Sequence, residues 1–150
     1  AGGRDGLDAM SNWLALSGRV ILPETDWLVP VPLHDQRLAA RGFNQAAWLT
    51  QGVARRTGTL ALVDALSRKR NTPSQGGLTA RQRRRNVAGA FEVRKSRQSR
   101  IKGSAVTLVD DVLTTGSTLA ACTKALKKAG ATRVNVLVLA RVVREADYTI

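Results

Sequence analysis

Cysteine, histidine and aromatic residues are scarce in this sequence of 150 residues. It contains one cysteine, one histidine, three tryptophans, two phenylalanines and one tyrosine. The single cysteine, Cys122, excludes an internal disulfide and a zinc cluster built from cysteines of this sequence. Cys122 falls on the apolar stripe of a predicted helix, so we interpret it as a core thiol rather than a reactive one. The few aromatic residues also disfavour a surface that stacks successive bases on interleaved rings.

Long apolar runs are absent as well. No run reaches the roughly 18 residues that span a bilayer, and residues 1–25 lack the basic start and apolar centre of a signal peptide. We therefore expect a cytoplasmic protein without membrane insertion. The length and the 43% of hydrophobic residues suit a single domain over residues 1–150, with a helical lead-in over residues 1–25. The sequence starts at Ala1 rather than at methionine, as expected if an upstream segment has been removed or left out.

Acidic residues are few, because 11 Asp and Glu stand against 24 Lys and Arg, which gives a formal net charge of +13. A charge of this size implies an anionic partner, although a solubilising surface is the plainer alternative. The positive charge is concentrated between the centre of the sequence and residue 102, where Glu92 is the acid that opposes it. The basic residues of this stretch are Arg68, Lys69, Arg70, Arg81, Arg83, Arg84, Arg85, Arg94, Lys95, Arg97, Arg100 and Lys102.

The stretch over residues 105–129 predicts a strand, a loop and a helix. It begins with a short β-branched run typical of a buried parallel strand, which is predicted to end at Val109, and it closes with apolar residues at helical spacing. Asp110 and Asp111 fall where this strand is predicted to end, at the sheet edge where open α/β proteins bind ligands. Residues 114–118, Thr-Thr-Gly-Ser-Thr, then offer hydroxyls and backbone N–H groups at the start of the helix, which favours a phosphate. The alternative is an ordinary turn with acidic helix caps.

This pattern resembles the 5-phosphoribosyl 1-diphosphate (PRPP) motif of the type I phosphoribosyltransferases, in which four apolar residues precede two acids and a Thr/Gly loop. The resemblance implies that Asp110 and Asp111 hold the ribose hydroxyls of PRPP. Carboxylates suit a diol because they accept its hydrogen bonds and do not compete for the phosphate. The resemblance also implies that the 5-phosphate is bound by Thr114, Thr115, Gly116, Ser117 and Thr118.

A second candidate binding segment follows the first predicted strand. That strand, over residues 27–32, ends in two prolines, which donate no N–H and so mark the end of a ladder. In the loop after it, Arg37 and Arg41 are spaced to reach a common anion, and the loop leads into a helix that Gly58 stops. We interpret His34, in the same loop, as a surface residue, with contact to a diphosphate as the alternative.

Two further motifs narrow the resemblance to the ComF family. The first is Val29-Pro30-Val31-Pro32-Leu33 followed by Arg37 and Arg41-Gly42-Phe43-Asn44-Gln45, and the second is Arg68, Arg70, Thr72, Gln75, Leu78, Arg83, Asn86, Val87 and Ala90-Phe91. With the PRPP motif they cover roughly residues 27–141. The family includes proteins of natural transformation and GntX-type proteins linked to gluconate use, so the resemblance implies a role in DNA uptake. Many relatives carry a four-cysteine zinc segment in front, which this sequence lacks.

Residues 67–78 predict a flexible loop, because they are basic, contain one proline and two glycines, and show no apolar period. The resemblance to type I phosphoribosyltransferases places here the loop that closes over the diphosphate, between the second and third core strands. Arg68, Lys69 and Arg70 are then candidates to meet the leaving group while closure excludes water. A solvated linker is the alternative.

The alternation of strands and helices predicts an α/β fold with a mostly parallel sheet and helices on both faces. By resemblance this is the Rossmann-like fold of the type I phosphoribosyltransferases. The first hypothesis is a transferase that uses PRPP and Mg²⁺, passes the phosphoribosyl group to an unidentified acceptor and releases diphosphate. Cations, including Arg37 and Arg41, would face the diphosphate while the acids face the ribose. The catalytic residues would be Asp110, Asp111, Arg68 and Arg70.

The second hypothesis is a non-catalytic module that senses PRPP. Its basic face would hold single-stranded DNA or a protein of the DNA-uptake machinery, such as a ComFA-type helicase. The ComF resemblance and the net charge of +13 favour this hypothesis. The two hypotheses are compatible, and they differ on whether PRPP is consumed. The candidate contacts to phosphates are Arg83, Arg84 and Arg85, on a predicted helix, with Arg81 nearby.

Overall fold

Three parallel strands form the sheet around which the chain folds. The computed structural model describes residues 2–33, 44–69, 79–113 and 116–141. Its helices are α1 (Gly2–Ser17), α2 (Gln45–Thr57), α3 (Ala80–Val87), α4 (Gln98–Ile101) and α5 (Ser117–Lys128). Its strands are β1 (Trp27–Pro30), β2 (Leu66–Arg68), β3 (Phe91–Val93), β4 (Ala105–Leu113) and β5 (Arg133–Arg141). Short 3₁₀ turns occur at Leu22–Glu24 and Lys95–Arg97.

The strand order in the sheet is β1-β4-β5, and both pairs of strands are parallel. Val29 of β1 lies opposite Leu108 at the centre of β4. A further parallel bridge joins Leu28 to Ala61 on the other side of β1. Parallel neighbours need a crossover connection, and α5 provides the one between β4 and β5. The predicted parallel sheet is therefore confirmed.

The two faces of the sheet are covered by different helices. On one face, Val106 and Leu108 of β4 are buried with Leu126 of α5. On the other face, Val109 is buried with Leu14 of α1 and with apolar residues of α2. The alternation arises because successive side chains of a strand point to opposite faces. Each fully buried Leu or Val side chain contributes about 1.5–3 kcal/mol, so the helices on both faces hold β4 in place.

Helix α1 packs against α2 and the sheet through one stripe of side chains. Leu14 is 1% exposed at the centre of that stripe, and Leu7 and Met10 are partly buried beside it. Trp13 has the same helical spacing in the sequence as Leu7, Met10 and Leu14, yet its side chain is 68% exposed. A helix turns by about 100° per residue, so the side chain next to Leu14 points away from the contact.

Strands β2 and β3 form a separate antiparallel pair, in which Arg68 lies opposite Phe91. The prediction of a flexible loop over residues 67–78 is therefore wrong at its start, because Ser67 and Arg68 belong to a hydrogen-bonded strand. Residues 70–78 lie outside the described residues. Phe91 is buried in the same cluster as residues of α5 and β4, which joins the antiparallel pair to the main sheet.

The ends of the helices follow local sequence signals. Helix α2 starts after Asn44, whose Oδ1 accepts a hydrogen bond of 2.9 Å from the N–H of Ala46. It ends at Gly58 with φ at 77°, a conformation that favours glycine, as the sequence predicts. Helix α3 starts with a capping box between Thr79 and Gln82. None of the helices in the described ranges combines the length and apolar character needed to cross a membrane.

Candidate functional site

Among the described residues, the edge of β4 that faces β1 is open beyond the position where β1 ends. The last hydrogen bond between the two strands runs from the N–H of Val31 to the carbonyl of Val109, at 3.0 Å. Pro32 follows and has no N–H to donate, so the ladder stops there. Asp110 and Asp111 come next on β4 and lie beside this opening.

Strand β4 does not end at Val109, as the sequence predicted, but continues to Leu113. It does so because β5 goes on pairing with it, and Asp110 lies opposite Val138 in that ladder. The acid pair is therefore fixed on a strand rather than on a loop. A strand holds side chains in defined positions more closely than a loop does, which suits a binding site.

A cavity of about 180 Å³ lies at the opening beside β1. Asp110, Asp111, Arg68 and Thr118 all line it, so the structure brings together four residues that the sequence predicted for the site. Its other described walls are formed by residues 31–33, after β1, and residues 44–46, at the start of α2. Segments that are far apart in the sequence thus meet at the carboxyl end of the sheet, where open α/β proteins bind ligands.

Asp110 is partly buried in this cavity, and its burial raises the pKa of the carboxyl to about 7. That value includes a smaller contribution in the same direction from the neighbouring Asp111, through a side-chain hydrogen bond and through its negative charge. The N–H of Asp111 donates a hydrogen bond of 2.9 Å to Asp110 Oδ1, which stabilises the carboxylate and acts in the opposite direction. The carboxyl of Asp110 therefore changes its charge near neutral pH.

Arg68 supplies a positive charge to the same cavity. Its guanidinium lies over the ring of Phe91, 5.3 Å from the centroid, a contact worth about 0.5–2 kcal/mol. Because Arg68 ends β2 and rests on a buried ring, it is anchored rather than carried on a flexible loop as predicted. An anchored cation is already in place when an anion arrives.

Cys122 lies beneath the site, and it is fully buried as predicted. Burial raises the pKa of its thiol, Asp110 raises it further, and Arg68 acts in the opposite direction. The thiol thus stays protonated at neutral pH and behaves as an apolar core group.

The first turn of α5 also borders the cavity, through Thr118. Gly116 precedes the helix with φ at 79°, a left-handed conformation that a side chain would strain. No side chain in the described ranges caps this end of the helix, and Ser117 is buried while Thr118 reaches the cavity. The N-terminus of a helix carries a partial positive charge and suits an anion.

The start of α2 is a part of the site that the sequence analysis did not assign. Asn44 and Gln45 line the cavity. Asn44 also donates a hydrogen bond of 3.1 Å from Nδ2 to the carbonyl of Val31, so it ties α2 to the end of β1. The signal was present in the sequence as an asparagine directly before a helical pattern, which is typical of an N-cap.

Several predicted site residues cannot be placed in this arrangement. Arg37, Arg41, Arg70, Thr114 and Thr115 lie outside the described residues, and so does His34. Their roles stay predictions.

Part of the concentrated basic charge has a structural role. Arg97 donates two hydrogen bonds, of 2.8 and 2.9 Å, to the carboxylate of Asp64. Arg100 lies over the ring of Trp27, 5.8 Å from the centroid. In the folded chain, Asp64 therefore opposes the charge of this basic stretch together with Glu92. Arg81, Arg84 and Arg85 are exposed on α3, which confirms the predicted helix and leaves these charges for solvent or a partner.

The acid pair fits a metal ion that arrives with a substrate. In the described part of the chain no group of three or more His, Cys, Asp or Glu side chains is arranged to hold a metal. Mg²⁺ keeps several waters and usually binds through one or two carboxylates together with substrate phosphates. Asp110 and Asp111 suit this mode better than they suit a permanent metal site.

Comparison with known proteins identifies the fold and the family. The model of the phosphoribosyl transferase domain matches residues 39–147. Competence protein F of Haemophilus influenzae is 41% identical over 120 residues, which cover 80% of this chain and 51% of that protein. DNA utilization protein YhgH of Salmonella typhi is 39% identical over 120 residues, with the same two coverages. The chain thus spans about half the length of these relatives.

A solved structure shows the same fold. It is the glutamine PRPP amidotransferase from B. subtilis complexed with ADP and GMP, with a TM-score of 0.60 and 22% identity over 89% of this chain and 26% of that one. At this identity the likeness concerns the fold alone, and it confirms the predicted type I phosphoribosyltransferase architecture. The matched domain shows that the chain belongs to the phosphoribosyl transferase family, and the competence relatives show that, within it, the chain belongs with the ComF proteins.

Proposed function

We propose that the chain binds PRPP together with Mg²⁺ and transfers its phosphoribosyl group to a nucleophilic acceptor, with release of diphosphate. The observation that carries this proposal is the convergence of Asp110, Asp111, Arg68 and Thr118 on one cavity at the N-terminus of α5. The family and the fold support it, since both are those of proteins built around a phosphoribosyl transferase domain.

The lining of the cavity suits the two ends of a phosphorylated ribose. The first turn of α5, with Thr118, offers a positive dipole and a hydroxyl to the 5-phosphate. Asp110 and Asp111 offer carboxylate oxygens that accept hydrogen bonds from the ribose diol. In the reverse orientation the acids would repel the phosphate.

Electrostatic stabilisation would drive the transfer. Departure of diphosphate leaves negative charge on the leaving group and positive charge on the ribose ring. Asp110 and Asp111 would stabilise the ring, and the anchored guanidinium of Arg68 would attract the diphosphate. Mg²⁺, when bound, supplies further positive charge to the diphosphate. Arg37, Arg41 and Arg70 are the further cations that we propose to face the diphosphate.

Calorimetric titration with PRPP tests the binding site. We expect binding with Mg²⁺ present and none when the divalent ion is chelated. Asp111→Asn should weaken binding by at least about tenfold, since it removes a charged hydrogen-bond acceptor worth about 1.5–3 kcal/mol. Asp8→Asn is the matched control, because Asp8 is an exposed carboxylate on α1. Equal affinity in both variants would remove the acid pair from the site.

Assay of diphosphate release tests the transfer itself. The purified chain is incubated with PRPP, Mg²⁺ and a panel of bases and amines. Release that depends on one of these acceptors supports an enzyme. Binding of PRPP without release under any acceptor would instead support a sensing role.

A non-catalytic, PRPP-sensing module is the second candidate function. Two relatives are named for competence and for DNA utilization, and the chain carries a net charge of +13 with exposed arginines on α3. These observations favour a protein that handles single-stranded DNA or binds a protein of the uptake machinery, such as a ComFA-type helicase. Consumption of PRPP separates this candidate from the first.

A further inference from the structure

A groove runs along α5 on the side that faces α3 and β3. Two adjoining cavities, of about 430 and 450 Å³, share Lys69, Phe91 and Lys128 and so form one elongated depression. Each is more than twice as large as the cavity at the acid pair. We call this depression the α5 groove and define it by Arg84, Lys102, Lys124, Lys128, Phe91 and Ala121.

The rim of the α5 groove is positively charged. Arg84, Lys102, Lys124 and Lys128 line it and are exposed, and none of the four is ion-paired with another described residue. Among the described lining residues the acid is Glu92, which is already paired with Lys69 at 3.2 Å. The groove therefore attracts anions along its whole length.

The floor of the α5 groove is apolar in the half that lies between α5 and α3. Ala121 and Ala125 of α5 form one side of it, and Ala88 and Phe91 form the other. The small side chains leave room for a ligand to lie against the helix. An apolar floor between cationic rims suits a ligand that carries both phosphates and apolar faces.

The α5 groove is distinct from the candidate phosphoribosyl site. Successive residues of the first turn of α5 face different cavities, because Ser117 lines the groove whereas Thr118 lines the cavity at Asp110 and Asp111. The acids lie on the Thr118 side, so their negative charge does not oppose an anion in the groove.

We propose that the α5 groove binds single-stranded nucleic acid, with phosphates on the cationic rim and the apolar faces of sugars and bases on the floor. Lys124 and Lys128 stand one helical turn apart, so they meet neighbouring phosphates of an extended strand. A duplex would leave the floor uncovered, because its bases are turned inward. The proposal rests on the nucleic-acid part of the second candidate function, and it does not require that PRPP be consumed.

Salt-dependent binding of a labelled single-stranded oligothymidylate tests the proposal. Fluorescence anisotropy is measured at several salt concentrations for the wild type and for the double variant Lys124→Ala with Lys128→Ala. Each neutralised phosphate contributes about −0.7 to the log-log slope, so the variant should lose about 1.4 units of slope. The control removes two exposed charges outside the groove, Arg55→Ala with Lys95→Ala, and should leave the slope within about 0.5 units.

A second variant keeps the test decisive if the double variant does not fold. Lys102→Glu reverses a charge at the other end of the groove, off α5, and should lower the slope by at least about 0.7 units. Unlabelled single strand should displace the probe more strongly than duplex DNA, polyglutamate or thymidine monophosphate at equal charge concentration.

Three results would overturn the proposal. The first is an equal loss of slope in the double variant and in the control. The second is unchanged binding of the oligothymidylate in both groove variants. The third is displacement of the probe by polyglutamate that is as strong as displacement by the single strand. PRPP titration of the same variants is independent of all three, since Lys102, Lys124 and Lys128 do not line the phosphoribosyl site. Failure of the groove and failure of the PRPP site are thus seen in separate experiments.

Discussion

Replacement of Asp110 by asparagine should change how the stability of the protein depends on pH. The pKa of Asp110 is raised from 3.8 to about 7 in the folded chain, chiefly by burial. Between these values the folded state binds more protons than the unfolded state. The free energy of unfolding of the wild type therefore falls as the pH rises from about 4 to about 7.

The size of the effect follows from the shift in pKa. A difference of about three units at 1.36 kcal/mol per unit corresponds to about 4 kcal/mol above pH 7. That is a large part of the roughly 5–15 kcal/mol that is typical for a folded domain. The variant Asp110→Asn lacks the titrating group and therefore lacks this dependence on pH. Its amide oxygen can still accept the hydrogen bond that the N–H of Asp111 donates to Asp110 Oδ1 in the wild type.

Urea denaturation at intervals from pH 4 to pH 8 measures the effect. Subtracting the unfolding free energy of the wild type from that of Asp110→Asn removes the contribution of the groups that titrate alike in both proteins. We expect this difference to be small at pH 4 and to rise by about 4 kcal/mol in favour of the variant by pH 8. A difference that stays constant across this range would refute the reasoning. The same variant should lose affinity for PRPP, so a gain in stability would accompany a loss of function.

Two further predictions concern contacts away from the site. The hydrogen bond with Arg97 lowers the pKa of Asp64, so Asp64→Asn should destabilise the protein above about pH 4, and the loss should disappear as the pH falls through the lowered pKa. The same urea series measures this loss, and equal stability of variant and wild type at pH 7 would contradict it. Gly52→Ala should cost about 1–3 kcal/mol, because its Cβ would overlap the Ser11 side chain between α1 and α2. Gly6→Ala is the control, since a Cβ at this position meets no atom within 4 Å and the substitution should stabilise α1 by up to about 1 kcal/mol. Thermal unfolding compares the two variants. Equal melting temperatures would contradict the prediction, because they would mean that the Ser11 side chain moves aside at no cost.

Local signals in the sequence predicted the features that depend on one or two residues. Gly58 ends α2 because a left-handed residue at this point favours glycine. Pro32 ends the ladder of β1 because it has no N–H. The sequence placed the acid pair at the end of β4, whereas the structure places it within β4, beside the point where β1 ends.

Features that depend on distant partners were not predicted from the sequence. Strand β4 runs past Asp110 because β5 goes on pairing with it, and no local residue marks that. Trp13 is exposed because Leu14 occupies the contact between α1 and the sheet. Arg68 was assigned to a loop on the basis of its basic neighbours, whereas its ordered position comes from Phe91, more than twenty residues away. Periodicity and composition describe the properties of a segment, but they do not identify the residues that it contacts in the fold.

The charges around α5 explain how one helix can serve two different anions. At its first turn the dipole and Thr118 attract a phosphate, but Asp110 and Asp111 stand in the same cavity and repel a ligand that is anionic throughout. A phosphorylated ribose escapes this repulsion, because its diol needs acceptors at the position where the acids lie. Along the α5 groove the uncompensated charges are cationic, so a polyanion is favoured there. The net charge of +13 is therefore compatible with the phosphoribosyl site that we propose, since Asp110 and Asp111 repel ligands that are anionic throughout.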